Sequence, residues 1–322
     1  MRFLAPIDKG LHLRRVPLFG DLPPERLQLF VDYAEEELLA AGTVLQQAGA
    51  PVETVRIIVE GEVDCVLPGG KKLKLGPDSV TGVFEFFAGH ATAAFTANGD
   101  VLTLSLATTA IRGLLEEHFD IVVLVFRGLG RSLIRSVASA PTIAAGDTPP
   151  ELPEHEEHPA MGEVDTILAL RRTMAFRGAS VDGLSAVARV ARAETFAKGA
   201  VLWTETDASN WLGIIVHGVV ECVTSRRPSR FYFSEQATEA VGFLDTLAGD
   251  ERWYRAVAHT EVVLLVVPKD ALLDTLEDHF EMAFSCLSAF AAFSMEIVGR
   301  LREAPGLSPS EGLWSSHDLG ET

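Results

Sequence analysis

The stretch Ile57–Val66 reads IIVEGEVDCV, and Ile214–Val223 reads IIVHGVVECV. Seven of the ten letters agree, although the two stretches lie 157 positions apart. Each is rich in β-branched residues and interrupted by one glycine, which is the composition of short strands with a glycine-bearing turn. The offset holds further out: Phe19 matches Phe176, Leu27 matches Leu184, Gly42 matches Gly199 and Leu45 matches Leu202. Past the strands it grows slightly. The Ala-Gly of FFAGH and of TLAGD are 160 apart, and EEHFD matches EDHFE at 161. Small length changes between fixed anchors belong in hairpin loops. The chain is therefore a duplication of a unit about 120 residues long, the size of a domain rather than of a solenoid repeat.

Composition bounds the function. Of 322 residues, 45 are acidic and 27 basic, a net charge of −18. Nucleic-acid binding draws on Lys and Arg to neutralise phosphates, so a chain this acidic without a basic module is a poor nucleic-acid binder. Anionic membrane surfaces are disfavoured for the same reason. The longest apolar runs, IVVLVF and VVLLVV, fall far short of the ~20 residues of a spanning helix, and MRFLAPIDKGLHLRR lacks the apolar core of a signal peptide. The cysteines, Cys65, Cys222 and Cys286, are odd in number and fit no zinc spacing. They read as buried thiols in a reducing compartment, and the protein as cytoplasmic. The preference for arginine and alanine points to a GC-rich bacterial source.

Each copy has one order of elements. PPERLQLFVDYA opens with prolines suited to a first helical turn. Short alternating runs follow, TVLQQAG, TVRIIVEGEVDCVL, KKLKLG, AAFTAN and VLTLSLA, and then long segments apolar at helical spacing. The expected fold class is mainly β with flanking helices: two jelly-roll, or double-stranded β-helix, domains. They are placed at 16–138 and 166–303, after an N-terminal segment 1–15 and before a flexible tail 304–322. Between them, residues 139–165 hold five prolines and seven acidic residues but no Lys or Arg, the composition of a solvated, self-repelling linker.

The run PLFGDLPPERLQLF…AAGTVLQQAGAPVETVRIIVEGEVDCVL…LGPDSVTGVFEFFAGHATAAFTANGDVLTLSLATTAIRGLLEEHF resembles the cyclic-nucleotide-binding domain. That family includes the catabolite activator proteins and the regulatory subunits of cyclic-AMP-dependent protein kinase. The resemblance covers roughly 16–137 and 166–302. It implies a β-roll with a phosphate-binding cassette, Phe-Gly-Glu followed by an apolar run and Pro-Arg. In that cassette the glycine lets backbone approach the ligand, the arginine forks onto the phosphate and the glutamate accepts from the ribose hydroxyl.

Both copies depart from this pattern. In copy one Gly82 is kept, but Val83 stands where the glutamate belongs and Ala91 where the arginine belongs. Sliding the register brings in Glu85, yet no arginine occurs between Arg56 and Arg112. Copy one is expected to be blind to cyclic nucleotides. Copy two keeps Gly242 and Arg252 but has Phe243 in place of the glutamate; Asp250 and Glu251 are the expected partners of Arg252. The candidate ligand-binding residues are thus Gly242, Phe243 and Arg252.

His90, His118, His217 and His279 are scattered over different elements, and no metal site is expected. No Walker loop, nucleophile elbow or paired Cys/His signature occurs, so no enzyme, catalytic residue or cofactor is expected. The helix at 281–302 is apolar around most of its circumference and is expected to dock a protein partner or a second copy. Leu313 and Trp314 offer a second docking point in the tail. The leading expectation is a non-enzymatic tandem cyclic-nucleotide-binding-like regulatory or scaffold protein acting through protein contacts. The alternative is a sensor in which the second domain binds cyclic AMP, cyclic GMP or another small anion and signals to a separate effector.

Overall fold

The computed structural model describes residues 4–67, 70, 72–89, 91–139, 148–150, 161–225, 229–234, 240–249 and 251–303. They form two compact units, one of residues up to 132 and one of residues 133 onward. Unit one opens with helices α1 (Pro6–Arg15), α2 (Pro17–Gly20) and α3 (Pro24–Tyr33). Strands β1 (Glu35–Leu39), β2 (Val44–Gln46), β3 (Thr54–Glu60), β4 (Val63–Val66), β5 (Lys72–Leu75) and β6 (Val80–Thr81) follow. Then come the short helix α4 (Val83–Ala88), strands β7 (Ala94–Ala97) and β8 (Val101–Ala107), and helices α5 (Thr108–Glu117) and α6 (Phe119–Ser139). The division between the units falls inside α6.

Unit two repeats the order with α7 (Glu163–Arg172), α8 (Val181–Val190), β9 (Arg192–Phe196), β10 (Val201–Trp203), β11 (Trp211–His217), β12 (Val219–Thr224) and β13 (Ser229–Ser234). It closes with α9 (Phe243–Ala248), β14 (Arg255–Ala258), β15 (Val262–Pro268), α10 (Lys269–Asp278) and α11 (Phe280–Glu303). Among the described residues every strand pairing is antiparallel. Unit one stacks the sheets β1-β8-β3-β6 and β2-β7-β4-β5; unit two has β11-β15-β9 and β10-β14-β12-β13. This is the expected architecture, mainly β with flanking helices.

The repeated stretch folds as two strands that belong to different sheets. β3 lies in one sheet and β4 in the other, and the glycine between them makes the crossing. Gly61 has φ +91°, and a Cβ there would lie 2.5 Å from the Asp100 carbonyl oxygen; at Gly218, φ +95°, the Glu261 oxygen would be 2.2 Å away. Only glycine fits at such an approach. On either side the strands bury Val55, Ile57, Ile58, Val63 and Cys65, and in unit two Leu212, Ile214, Val220 and Cys222. Each such apolar side chain contributes about 1.5–3 kcal/mol. Cys286 is buried as well, so all three thiols are core residues.

The expected boundaries shift at three places. Most of the expected N-terminal segment 1–15 is helix: Pro6–Arg15 form α1, the counterpart of α7, and its Leu13 is fully buried. The linker loses both ends, Ser139 to α6 and residues 163–165 to α7, whose first turn is held by Asp165 accepting from the Gly162 N–H at 3.0 Å. Much of its middle, with the tail and its Leu313 and Trp314, lies outside the described residues.

As far as Phe293 the last helix is spent on the chain's own packing. Met282, Ala283, Cys286, Leu287, Ala289, Phe290, Ala291 and Phe293 are all buried. Ser285 Oγ donates to the Ala175 carbonyl at 3.3 Å. The apolar circumference that suggested a docking face at 281–302 is therefore already covered as far as Phe293, and the side chains beyond Met295 lie outside the described residues. Among the described helices none is long and apolar enough to cross a membrane.

Candidate functional site

Both units build the same small cradle. Gly82 and Gly242 take left-handed φ values of +85° and +77° and open six-residue helices, α4 and α9, that close on Gly89 and Gly249. The strand leading out of each cradle is fixed identically. In unit two the Arg252 N–H donates to the Asp207 carbonyl (2.9 Å), and the Arg252 carbonyl accepts from Thr206 (2.9 Å). In unit one Ala91 donates to Ala50 (3.1 Å) and accepts from Gly49 (2.7 Å). Ala91 thus holds the place of Arg252.

Arg252 turns inward. Its side chain and that of Asp245 are each 1% exposed, and Nη1 donates to Asp245 Oδ2 at 2.9 Å. Nη1 also reaches the Gly242 carbonyl (3.3 Å) and Thr246 Oγ1 (3.4 Å), and Nη2 donates to the Trp211 carbonyl. The guanidinium carbon lies 4.0 Å from the centroid of the Trp203 ring and 5.4 Å from that of Trp211, so the cation rests on two aromatic faces. Contact with Gly242 is so close that a Cβ there would lie 2.3 Å from Nη1. Burial pushes the Asp245 carboxyl above its usual range, and the guanidinium opposes that push. Thr246 donates to the Trp211 carbonyl (2.7 Å) and meets Ser209 (3.1 Å), so each neighbour of the pair is itself held.

The rest of the cradle is filled with rings. Phe243 packs on Phe290 of α11, centroids 5.1 Å apart. The Tyr254 hydroxyl accepts from the Gly242 N–H at 2.9 Å, and its ring meets Trp203 and Phe231. What remains between Phe231, Phe243, Trp253, Tyr254 and Phe290 is an apolar cavity of about 40 Å³. Organic ligands occupy pockets of roughly 300–1,000 Å³. A larger cavity of about 690 Å³ has Ser209, Asn210, Glu251, Arg252 and Lys269 among its walls.

In unit one, Val83 is buried at the start of α4, and Glu85 is buried in the position of Asp245, 1% exposed. Its carboxyl is pushed up to about 7 by desolvation, and its Oε2 has no hydrogen-bond partner among the described residues.

Of the residues singled out from sequence, the fold brings Gly242 and Arg252 into contact and turns Phe243 against the last helix. The expected partners of Arg252 are corrected. Glu251 is exposed and Asp250 lies outside the described residues; the partner is Asp245. Asp245, Trp203 and Trp211 were missed. The available signal was an acid three residues after the cradle glycine in both copies, Glu85 and Asp245. Among the described residues no three His, Cys, Asp or Glu side chains cluster as a metal site would require.

With this geometry in place, comparison with known families is informative. Residues 193–279 match the sequence model of the cyclic nucleotide-binding domain. That stretch has the cyclic nucleotide-binding fold. The matched stretch contains Trp203, Trp211, Gly242, Asp245 and Arg252, whereas Phe290 lies beyond it. Among solved structures, the chain is similar to the regulatory domain of Toxoplasma gondii PKA crystallised with cAMP. Identity there is 16% over 85% of this chain and 94% of that one, with a TM-score of 0.32. It is also similar to the regulatory subunit of a cAMP-independent protein kinase A from Trypanosoma cruzi bound to guanosine (17%, 95% and 90%, TM-score 0.34). A third is the N-terminal domain of a transcriptional regulator from Streptomyces coelicolor A3(2) (27%, 40% and 93%, TM-score 0.35). No curated protein matches the chain.

Proposed function

We propose that this is a non-enzymatic regulatory protein whose second cyclic nucleotide-binding domain has replaced its nucleotide with internal partners and which works through contacts with another protein. The observation that carries the reading is the buried Arg252–Asp245 pair. A cyclic phosphate reaching Arg252 would have to displace Asp245, and breaking a buried pair costs about 3–5 kcal/mol, enough to weaken binding by two or more orders of magnitude. Phe243 removes the ribose acceptor, and the 40 Å³ cavity leaves no room for a base. Protein contacts then fall to surface the chain leaves uncovered. Ile7 and Leu11 on α1 and Val164 and Leu168 on α7 are exposed apolar pairs at i, i+4 and occupy matching positions in the two copies. The end of α11 and the tail around Leu313 and Trp314 belong to the same proposal.

The 690 Å³ cavity with Lys269 and Arg252 in its walls favours a second reading, a sensor of a small anion. Calorimetric titration of the full chain with cyclic AMP, cyclic GMP and inorganic phosphate, beside Arg252→Ala, separates the two. No heat up to millimolar ligand is expected. Micromolar binding abolished by Arg252→Ala makes the second domain a sensor and sinks the leading reading.

A further inference from the structure

Unit one keeps the acid of the cradle without its arginine. Glu85 is 1% exposed, and its Oε2 finds no hydrogen-bond partner among the described residues. Gln46 stands in the place of Trp203, and its Nε2 is likewise buried and unpartnered there. The acceptors that hold the Arg252 guanidinium in unit two, the Gly242 and Trp211 carbonyls, have counterparts in Gly82 and Thr54. In unit two Arg252 Nη1 lies 2.3 Å from a Cβ built on Gly242. A Cβ built on Gly82 lies 2.9 Å from the Thr54 oxygen and 3.5 Å from both Gln46 Oε1 and Val52 Cγ1. A cavity of about 310 Å³ reaches the cradle's edge at Gln46 and Thr54, with Pro51, Glu53 and Arg56 among its walls; Glu85 lies behind these residues and is not itself in the wall. The cation already there, Arg56, is paired with Glu37 at 2.8 Å.

A buried carboxylate oxygen left without a partner carries its full desolvation cost, and buried charges are normally paired. We propose that unit one binds a small guanidinium cation at Glu85, the ligand supplying from outside the group that Arg252 supplies in unit two. The planar fork of N–H donors suits the set that the correspondence with unit two assigns to the site: the Glu85 carboxylate and the carbonyls of Gly82 and Thr54, the counterparts of Asp245, Gly242 and Trp211. A compact ammonium satisfies such a set less completely. The proposal concerns unit one alone and stands or falls apart from the reading of Arg252.

The experiment is calorimetric titration of the full chain at pH 8 with methylguanidinium chloride, with methylammonium and N-methylurea as the ammonium and uncharged controls. Wild type should bind methylguanidinium at least about tenfold more tightly than either control. Glu85→Gln should lose at least about tenfold of that affinity, since the charge-assisted bonds disappear. Ala91→Arg, which brings its own guanidinium, should abolish binding; should that variant fail to fold, Glu85→Gln decides alone. Absence of heat from wild type at 10 mM methylguanidinium, or equal affinity in Glu85→Gln, overturns the proposal.

Discussion

The two cradles share backbone, glycines and a buried acid, and differ in what answers the acid. In unit two Asp245 faces Arg252, backed by two tryptophan rings and two carbonyls. In unit one Glu85 faces no cation among the described residues, with Ala91 in the arginine's place. In one cradle the acid is answered from within the chain, and in the other it is left one group short. The scaffold thus tolerates opposite solutions at one position, because strand pairing and core packing, not the ligand chemistry, hold the turn in place.

The most severe way to break the comparison is to truncate the paired acid. Asp245→Ala strands a buried guanidinium and should cost about 3–5 kcal/mol, read by urea denaturation. Three of the four tryptophans, Trp203, Trp211 and Trp253, lie in unit two and none lies among residues 1–132. In a Trp314→Phe background indole fluorescence therefore follows unit two. The double variant Asp245→Leu/Arg252→Met should recover most of the loss, since replacing a whole buried pair by apolar groups is near neutral. A single variant within about 1 kcal/mol of wild type would mean that the pair is not the clamp described.

Next comes pH. The Glu85 carboxyl is raised from the ordinary 4.5 to about 7 in the folded chain. Its favourable contribution is therefore complete below pH 4.5 and is lost as pH rises through 7, the reverse of a salt-bridged carboxylate. The shift corresponds to roughly 3 kcal/mol of unit-one stability between pH 4.5 and pH 8. Hydrogen exchange of β3 and β8 amides should follow this fall in wild type and be flat in Glu85→Gln. An unchanged pH profile in the variant would contradict the assignment.

A smaller effect should be the same in both units. Gly61→Ala and Gly218→Ala each place a Cβ under 3 Å from a carbonyl at positive φ, with strain of order 1–3 kcal/mol. Calorimetric unfolding of the two variants should show similar losses; a large disparity would mean that the crossings are not equivalent. Smallest of all, Leu11→Ser and Leu168→Ser, at matching exposed positions, should change stability by at most about 0.5 kcal/mol. A greater thermal shift would show that these side chains are covered in solution.

The sequence alone determined the duplication, the strand–glycine–strand crossing, the jelly-roll class and the absence of an arginine from the first cradle. Those follow from local pattern: β-branched runs, turn glycines and matched spacing report backbone geometry directly. Reading Glu251 as the neighbour of Arg252 failed because adjacent residues on extended backbone point to opposite faces; Glu251 lies outside and Arg252 inside. Helix α11, apolar on nearly every side, read equally well as a docking surface, and only packing against Phe243 and Ala175 assigned much of it to the interior. What tertiary structure decided was the pairing of charges and the covering of faces. Both depend on which segments meet in space, and that cannot be read from the order of residues along a chain.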